Sequence, residues 1–234
     1  VTALRTHDLT RVDLDRFTVL VLPEGRGYAK TLGDNGGKAI AGFVRRGGVL
    51  VTLGSATQWL SSKGVELLAT GSEPRGEHLA ADEENADKEN ADKKSTDKKG
   101  DSKAFDYEAA IRPDKESPPS TPGAILQVTI DPKHWLGFGY DKTANVVHDS
   151  SNILTPIKRN RGTNVVRYAK REQLVRAGFV WDDNLKQLPE KAYLVHQPHG
   201  RGHVIAFAED PNVRAFADGL NLLLLNAVLL TAGR

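Results

Sequence analysis

Cysteine is absent from all 234 residues, and so is methionine. Without thiols there is no disulfide framework and no thiolate chemistry, although a cysteine-free chain is compatible with any compartment. A strong charge of either sign is also missing: 32 Lys and Arg face 30 Asp and Glu, for a formal net charge of +2. That balance gives no electrostatic case for nucleic acid or for an anionic membrane as a partner. No apolar run approaches the ~20 residues a membrane span needs. The leucine-rich stretch Leu220–Leu230 is too short and reads as a buried core helix.

The segment Phe17–Leu60 carries the clearest pattern. Thr18–Leu22 is a continuous apolar, β-branched run, as expected of a parallel strand buried on both faces. A helix follows, with Asp34 or Asn35 as its cap, Ile40, Phe43 and Val44 on one side, and Gly47-Gly48 as its stop. Val49–Leu53 repeats the buried-strand pattern and should lie parallel beside Thr18–Leu22. Gly54-Ser55-Ala56-Thr57 then turns sharply at the C-terminal edge, where ligands and nucleophiles sit in open α/β sheets.

From residue 71 to residue 103 the composition changes. Glu84-Asn85-Ala86-Asp87-Lys88 is repeated identically as Glu89-Asn90-Ala91-Asp92-Lys93, followed by Lys-, Asp- and Ser-rich sequence. Such a segment buries too little apolar surface to offset its ordering entropy, so it reads as a solvated insertion in a surface loop. Phe105–Pro122, with four prolines, should return extended over the surface. Strands resume at Ala124–Ile130, Asn145–His148 and Asn164–Tyr168. Ala192–Gln197 and His203–Ala208 flank a Gly-rich turn and read as an antiparallel hairpin. Asp210 should cap a helix with Pro211 at its first position, and a helix with the face Leu220, Leu223, Leu224 and Val228 should close the domain.

This layout resembles the class I glutamine amidotransferase-like fold. Leu22-Pro23-Glu24-Gly25 stands where that family has its oxyanion loop, and Gly54-Ser55-Ala56 where active members carry a cysteine on a nucleophile elbow. The family's histidine would follow the strand His203–Ala208, but Glu209-Asp210-Pro211-Asn212 stands there instead. Losing the nucleophile or base of a triad costs on the order of a millionfold in rate, so amidotransferase activity is not carried over. The expected fold class is α/β: a flavodoxin-like (class I glutamine amidotransferase-like) three-layer domain, mostly parallel, with a β-rich C-terminal half. Its parts would be 1–70, a charged and Pro-rich insertion over 71–122, and 123–234. Val1–Leu4 reads as the end of a strand, which places the fold's first strand and helix upstream.

Val19–Gly25, Phe43–Leu50, Pro122–Leu126, Gly200–Val204 and Asp210–Arg214 look like the accessory domain that follows the catalytic domain in bacterial M14-type zinc carboxypeptidases. The resemblance implies a non-catalytic accessory role in packing, stability or substrate presentation. It also implies an N-terminal peptidase domain as partner, a periplasmic or secreted location, and zinc in the parent enzyme with no cofactor in this chain. The competing reading is a free-standing hydrolase or small-molecule binding module using the Ser55 crevice.

Glu24, Gly25, Gly54 and Ser55 are therefore the ligand-binding candidates, with Ser55 and Ala56 a vestigial elbow. The surroundings lack the Gly-x-Ser-x-Gly pattern of hydrolases, and Ser55 reads first as a helix cap. His196, His199 and His203 flank the hairpin turn; alternation sends them to different faces, so they read as surface-turn residues and not as a zinc set. Arg201 and Arg214 could grip an anion, but internal pairing is the simpler role. Trp59, Trp135 and Trp181 read as core or rim residues.

Overall fold

The computed structural model describes residues 1–73, 119–213 and 217–231. Most of the charged insertion, with the Glu-Asn-Ala-Asp-Lys repeat, lies outside the described residues, as does Arg214. Strands β1 (Val19–Leu22) and β2 (Val49–Leu53) pair in parallel, Val19 against Val49 and Leu22 against Thr52. Between them run the short helix α1 (Tyr28–Thr31) and the long helix α2 (Gly33–Arg45). α2 buries Ile40, Phe43 and Val44, as its periodicity predicts. Its start differs from expectation: it begins at Gly33, continuing from α1, so neither Asp34 nor Asn35 serves as its cap.

The remaining strands are β3 (Ser72–Glu73), β4 (Ala124–Ile130), β5 (Thr143–His148), β6 (Ile153–Leu154), β7 (Thr163–Tyr168), β8 (Val175–Gly178), β9 (Ala192–His199) and β10 (Gly202–Phe207). They form one curled sheet in the order β1-β2-β10-β9-β7-β4-β5, with β3 on β6, β6 on β9 and β8 on β4. β10 lies parallel to β2 and antiparallel to β9, so it joins a parallel part to a β-rich antiparallel half. This is a mixed α/β architecture of the flavodoxin-like kind, but the sheet is not mostly parallel as expected: among the described strands only β1–β2 and β2–β10 pair in parallel.

Alternation along the central strands splits the core. Leu50, Val204 and Ala206 face α2 and the helix α3 (Ser55–Leu60). Val49, Val51, Leu53, Ile205 and Phe207 face the opposite side, where Tyr193, Leu220, Leu223 and Ala227 close the second core. The β9–β10 hairpin rests directly on the end of α2: a Cβ at Gly202 would lie 2.1 Å from the Gly48 carbonyl oxygen.

Three further expectations are corrected. Val1–Leu4 joins no strand. Ser72–Glu73 is not solvated insertion but a buried strand pair, with Glu73 in a buried ion pair to Lys191. The C-terminal stretch is not a fully buried helix: Leu220, Leu223, Asn226, Ala227 and Thr231 are buried, Leu222, Leu225, Leu229 and Leu230 are exposed, and Asn226–Leu230 forms a π-helical turn.

Candidate functional site

The C-terminal ends of β1, β2 and β10 meet at one edge of the sheet, and each delivers one part of the candidate site. After β1 the chain turns at Pro23, whose carbonyl accepts a 2.7 Å hydrogen bond from the Tyr28 hydroxyl. Tyr28 in turn stacks on Trp59, with ring centroids 5.9 Å apart. This fixes the loop that carries Glu24 and Gly25 against α3.

After β2, Gly54 takes φ 50° and ψ −114°, a conformation that side-chain-bearing residues rarely adopt, and α3 begins at once with Ser55. The elbow is pinned from β10: Gly54 N–H and the Thr57 hydroxyl both donate to the Phe207 carbonyl, at 3.2 and 2.7 Å. A Cβ at Gly54 would stand 3.1 Å from Glu24 Cδ, so the Glu24 side chain lies across the elbow. Glu24, Gly25, Gly54 and Ser55 are thus brought together at this edge.

Ser55 does something the sequence reading does not anticipate. It makes no side-chain cap on α3. Its hydroxyl donates to the Gly25 carbonyl at 2.5 Å and accepts from Gly25 N–H at 3.0 Å. The pair ties the elbow to the oxyanion loop through groups 30 residues apart. It also occupies the loop N–H that would otherwise face a developing oxyanion.

Beyond β10 stands Glu209, where the family's base would be. It lies 2.8 Å from His148 Nδ1 and accepts a hydrogen bond of 2.5 Å from the Ser150 hydroxyl; His148 Nδ1 also stands 3.3 Å from the Tyr168 hydroxyl. His148 and Glu209 are both buried, at 0% and 4% side-chain exposure. Ser150 Oγ accepts from Asn152 N–H, and the Asn152 side chain meets Gln58 of α3. His148 Nε2 is buried with no hydrogen-bond partner among the described residues, so this imidazole does not serve Ser55. The sequence reading missed His148, Ser150 and Asn152; only the position of Glu209 after β10 marked the place.

The crevice is acidic. Burial, then the nearby Glu209, Asp210 and Asp149, pushes the Glu24 carboxyl above its ordinary value. Among the described residues there is no group of three or more His, Cys, Asp or Glu poised to hold a metal ion. No helix among them is long and apolar enough to cross a membrane.

The other candidates fall elsewhere. Arg201 donates to the Arg46 carbonyl at 2.9 Å and so caps the end of α2 instead of facing a ligand. Trp59 is buried, and Trp181 is exposed. His196 and His203 do not point apart: they hydrogen-bond to each other, and His196 also to His134, at the opposite end of the sheet.

No protein-family model matches the chain, and no curated protein matches it in sequence. Solved structures do share its fold. A ThuA-like protein from Parabacteroides merdae aligns with a TM-score of 0.55 at 13% identity, covering 94% of this chain and 72% of that one. Cytoplasmic protein STM1381 from Salmonella typhimurium LT2 aligns at 0.54 with 11% identity, covering 97% and 78%. Cytoplasmic protein STM3548 from Salmonella typhimurium aligns at 0.53 with 13% identity, again covering 97% and 78%. At these identities the likeness is one of fold. ThuA-like proteins are themselves class I glutamine amidotransferase-like folds, so the fold expectation holds. The narrower resemblance to a carboxypeptidase accessory domain is overturned: the neighbours are ThuA-like, and nothing ties the chain to a carboxypeptidase parent. The segments that suggested it fall on β1 and its loop, the α2 stop, the start of β4, the hairpin turn and the stretch after β10. The zinc and peptidase-domain expectations rested on that resemblance and lose their support with it.

Proposed function

We propose that this chain is a non-catalytic module of the amidotransferase-like fold, which acts by binding a small molecule at the elbow crevice. The observation that carries the reading is the reciprocal Ser55–Gly25 pair. A serine nucleophile must pass its proton to a base, and Ser55 gives its proton to a backbone carbonyl. Among the described residues, the imidazole near this edge is that of His148, which lies against Glu209 and whose Nε2 has no hydrogen-bond partner. The ligand class follows from the charge. Glu24 supplies an acceptor, and Glu209, Asp210 and Asp149 add negative potential, which suits a neutral or cationic molecule bearing hydroxyl or amine donors.

The test is calorimetric titration of the chain with sugars, polyols and aliphatic amines, beside turnover assays on glutamine, ester and peptide substrates. Saturable binding of a donor-rich ligand, weakened about tenfold in Glu24→Gln, is expected, which corresponds to about 1.4 kcal/mol. Turnover by the wild type that Ser55→Ala abolishes would overturn the non-catalytic reading.

A further inference from the structure

A cavity of about 680 Å3 lies at the other end of the sheet, where β9 ends and β10 begins. Its lining includes Arg159 and Arg161 from the β6–β7 loop, His134, His196 and His199, and Glu66. A second cavity of about 530 Å3 adjoins it, sharing Arg159, Gly162 and Thr163 and adding Arg167. We propose that this cavity is a binding site for a phosphate-type oxyanion, gripped by Arg159 and Arg161 beside a hydrogen-bonded row of histidines.

The loop is built to hold its arginines in place. The Asn164 side chain accepts from Ile157 N–H at 2.8 Å and donates to the Ile157 carbonyl at 2.9 Å, closing the loop at its base. Arg161 N–H donates to the Lys158 carbonyl, which makes the tip a tight turn. Gly162 is pressed on β9: a Cβ there would stand 2.4 Å from the His196 carbonyl oxygen. The Arg161 side chain is exposed and has no ion pair or hydrogen bond among the described residues. Arginine forks match the paired oxygens of a phosphate, and a loop braced beforehand spends little entropy on the contact.

The histidines supply a directed floor. Leu136 N–H donates to His134 Nδ1 at 3.2 Å, so in the neutral ring the proton sits on Nε2. That Nε2 donates to His196 Nδ1 at 3.0 Å, and His196 Nε2 donates to His203 Nδ1 at 2.9 Å. Each ring therefore bonds to the next, and the three do not converge on a common point as metal ligands would. Burial first, then the flanking His134 and His203, pushes His196 down to about 3, so it stays neutral and the cationic grip is left to the arginines. His199 lines the same cavity, and its buried Nε2 has no hydrogen-bond partner among the described residues. The volume far exceeds a bare phosphate ion, given about 30 Å3 for one water, so there is room for an organic group on the phosphate.

The experiment is calorimetric titration of the full chain at constant ionic strength with inorganic phosphate and with a simple phosphomonoester such as glycerol phosphate. Saturable binding of either is expected, weakened at least tenfold by Arg161→Gln and by Arg159→Gln, and unchanged by Lys30→Gln on α1. Tighter binding of the monoester assigns the site to an organic phosphate, and equal binding assigns it to the free ion. Nitrogen NMR of the imidazoles should report protons on Nε2 of His134 and His196. Unfolding midpoints of the variants check that these exposed substitutions leave the fold intact. Absence of saturable binding, or equal weakening in Lys30→Gln, would overturn the proposal.

Discussion

At the scale of single residues, Ser55 and Glu24 make opposite contributions. Ser55 satisfies both the N–H and the carbonyl of Gly25, so Ser55→Ala removes two hydrogen bonds and leaves two part-buried backbone groups without their partner. A loss of about 1–3 kcal/mol in unfolding free energy is expected by chemical denaturation, with no change in any catalytic rate. An unaltered midpoint would mean that the pair contributes nothing. Glu24 carries a carboxyl whose protonated form is favoured by the fold. The folded chain then holds its proton to higher pH than the unfolded chain, so the charged group costs stability as pH rises above the ordinary carboxylate range. Glu24→Gln should accordingly raise the unfolding midpoint at pH 7 and leave it nearly unchanged at pH 3. A lower midpoint at pH 7 would show that the carboxylate is stabilised by contacts at the elbow.

At the scale of elements, the parallel pair was legible because both strands are buried on two faces, which leaves an unbroken apolar run in the sequence. The hairpin was legible from its turn, and the elbow from a glycine at a strand end. What could not be read were contacts made across elements. The partner of Ser55 is 30 residues away, and nothing near Ser55 distinguishes a cap from a loop tie. His196 stands opposite Ile205, so its meeting with His203 is a diagonal contact across the hairpin, which alternation along one strand does not reveal. Glu73 belongs to a charged stretch by composition, yet its partner Lys191 lies 118 residues on and both are buried. Breaking one side of such a pair strands the other charge, so Glu73→Gln should cost about 3–5 kcal/mol. The hairpin offers a steric prediction. Gly202→Ala drives a methyl against the Gly48 and Val44 carbonyl oxygens, which are backbone atoms that cannot swing away. A loss of about 3 kcal/mol or more is expected, read as a lowered denaturation midpoint. A near-neutral result would mean that β10 and the α2–β2 turn can separate at little cost.

For the molecule as a whole, the two ends of the sheet carry opposite electrostatic character. The elbow edge gathers Glu24, Asp149, Glu209 and Asp210, while the far end gathers Arg159, Arg161 and the histidine row. The far end also couples global stability to pH, because His134, His196 and His203 join the β4–β5 connection to both strands of the hairpin. His196 is depressed to about 3 in the fold, against an ordinary value near 6.5. Above 6.5 both states hold it neutral, and its full contribution is present. Between 6.5 and about 3 the unfolded chain takes up a proton that the folded chain refuses, so stability falls as pH falls, by at most about 1.4 kcal/mol per pH unit from this group. Glu24 acts in the opposite sense toward the lower part of that range, so the wild-type curve alone does not isolate the histidine. The difference between wild type and His196→Gln does. Unfolding free energies measured from pH 7.5 to 4.5 should converge on acidification, because the variant has no proton to refuse at this position. Parallel curves over that range would mean that His196 titrates normally and that the row opens to admit the proton.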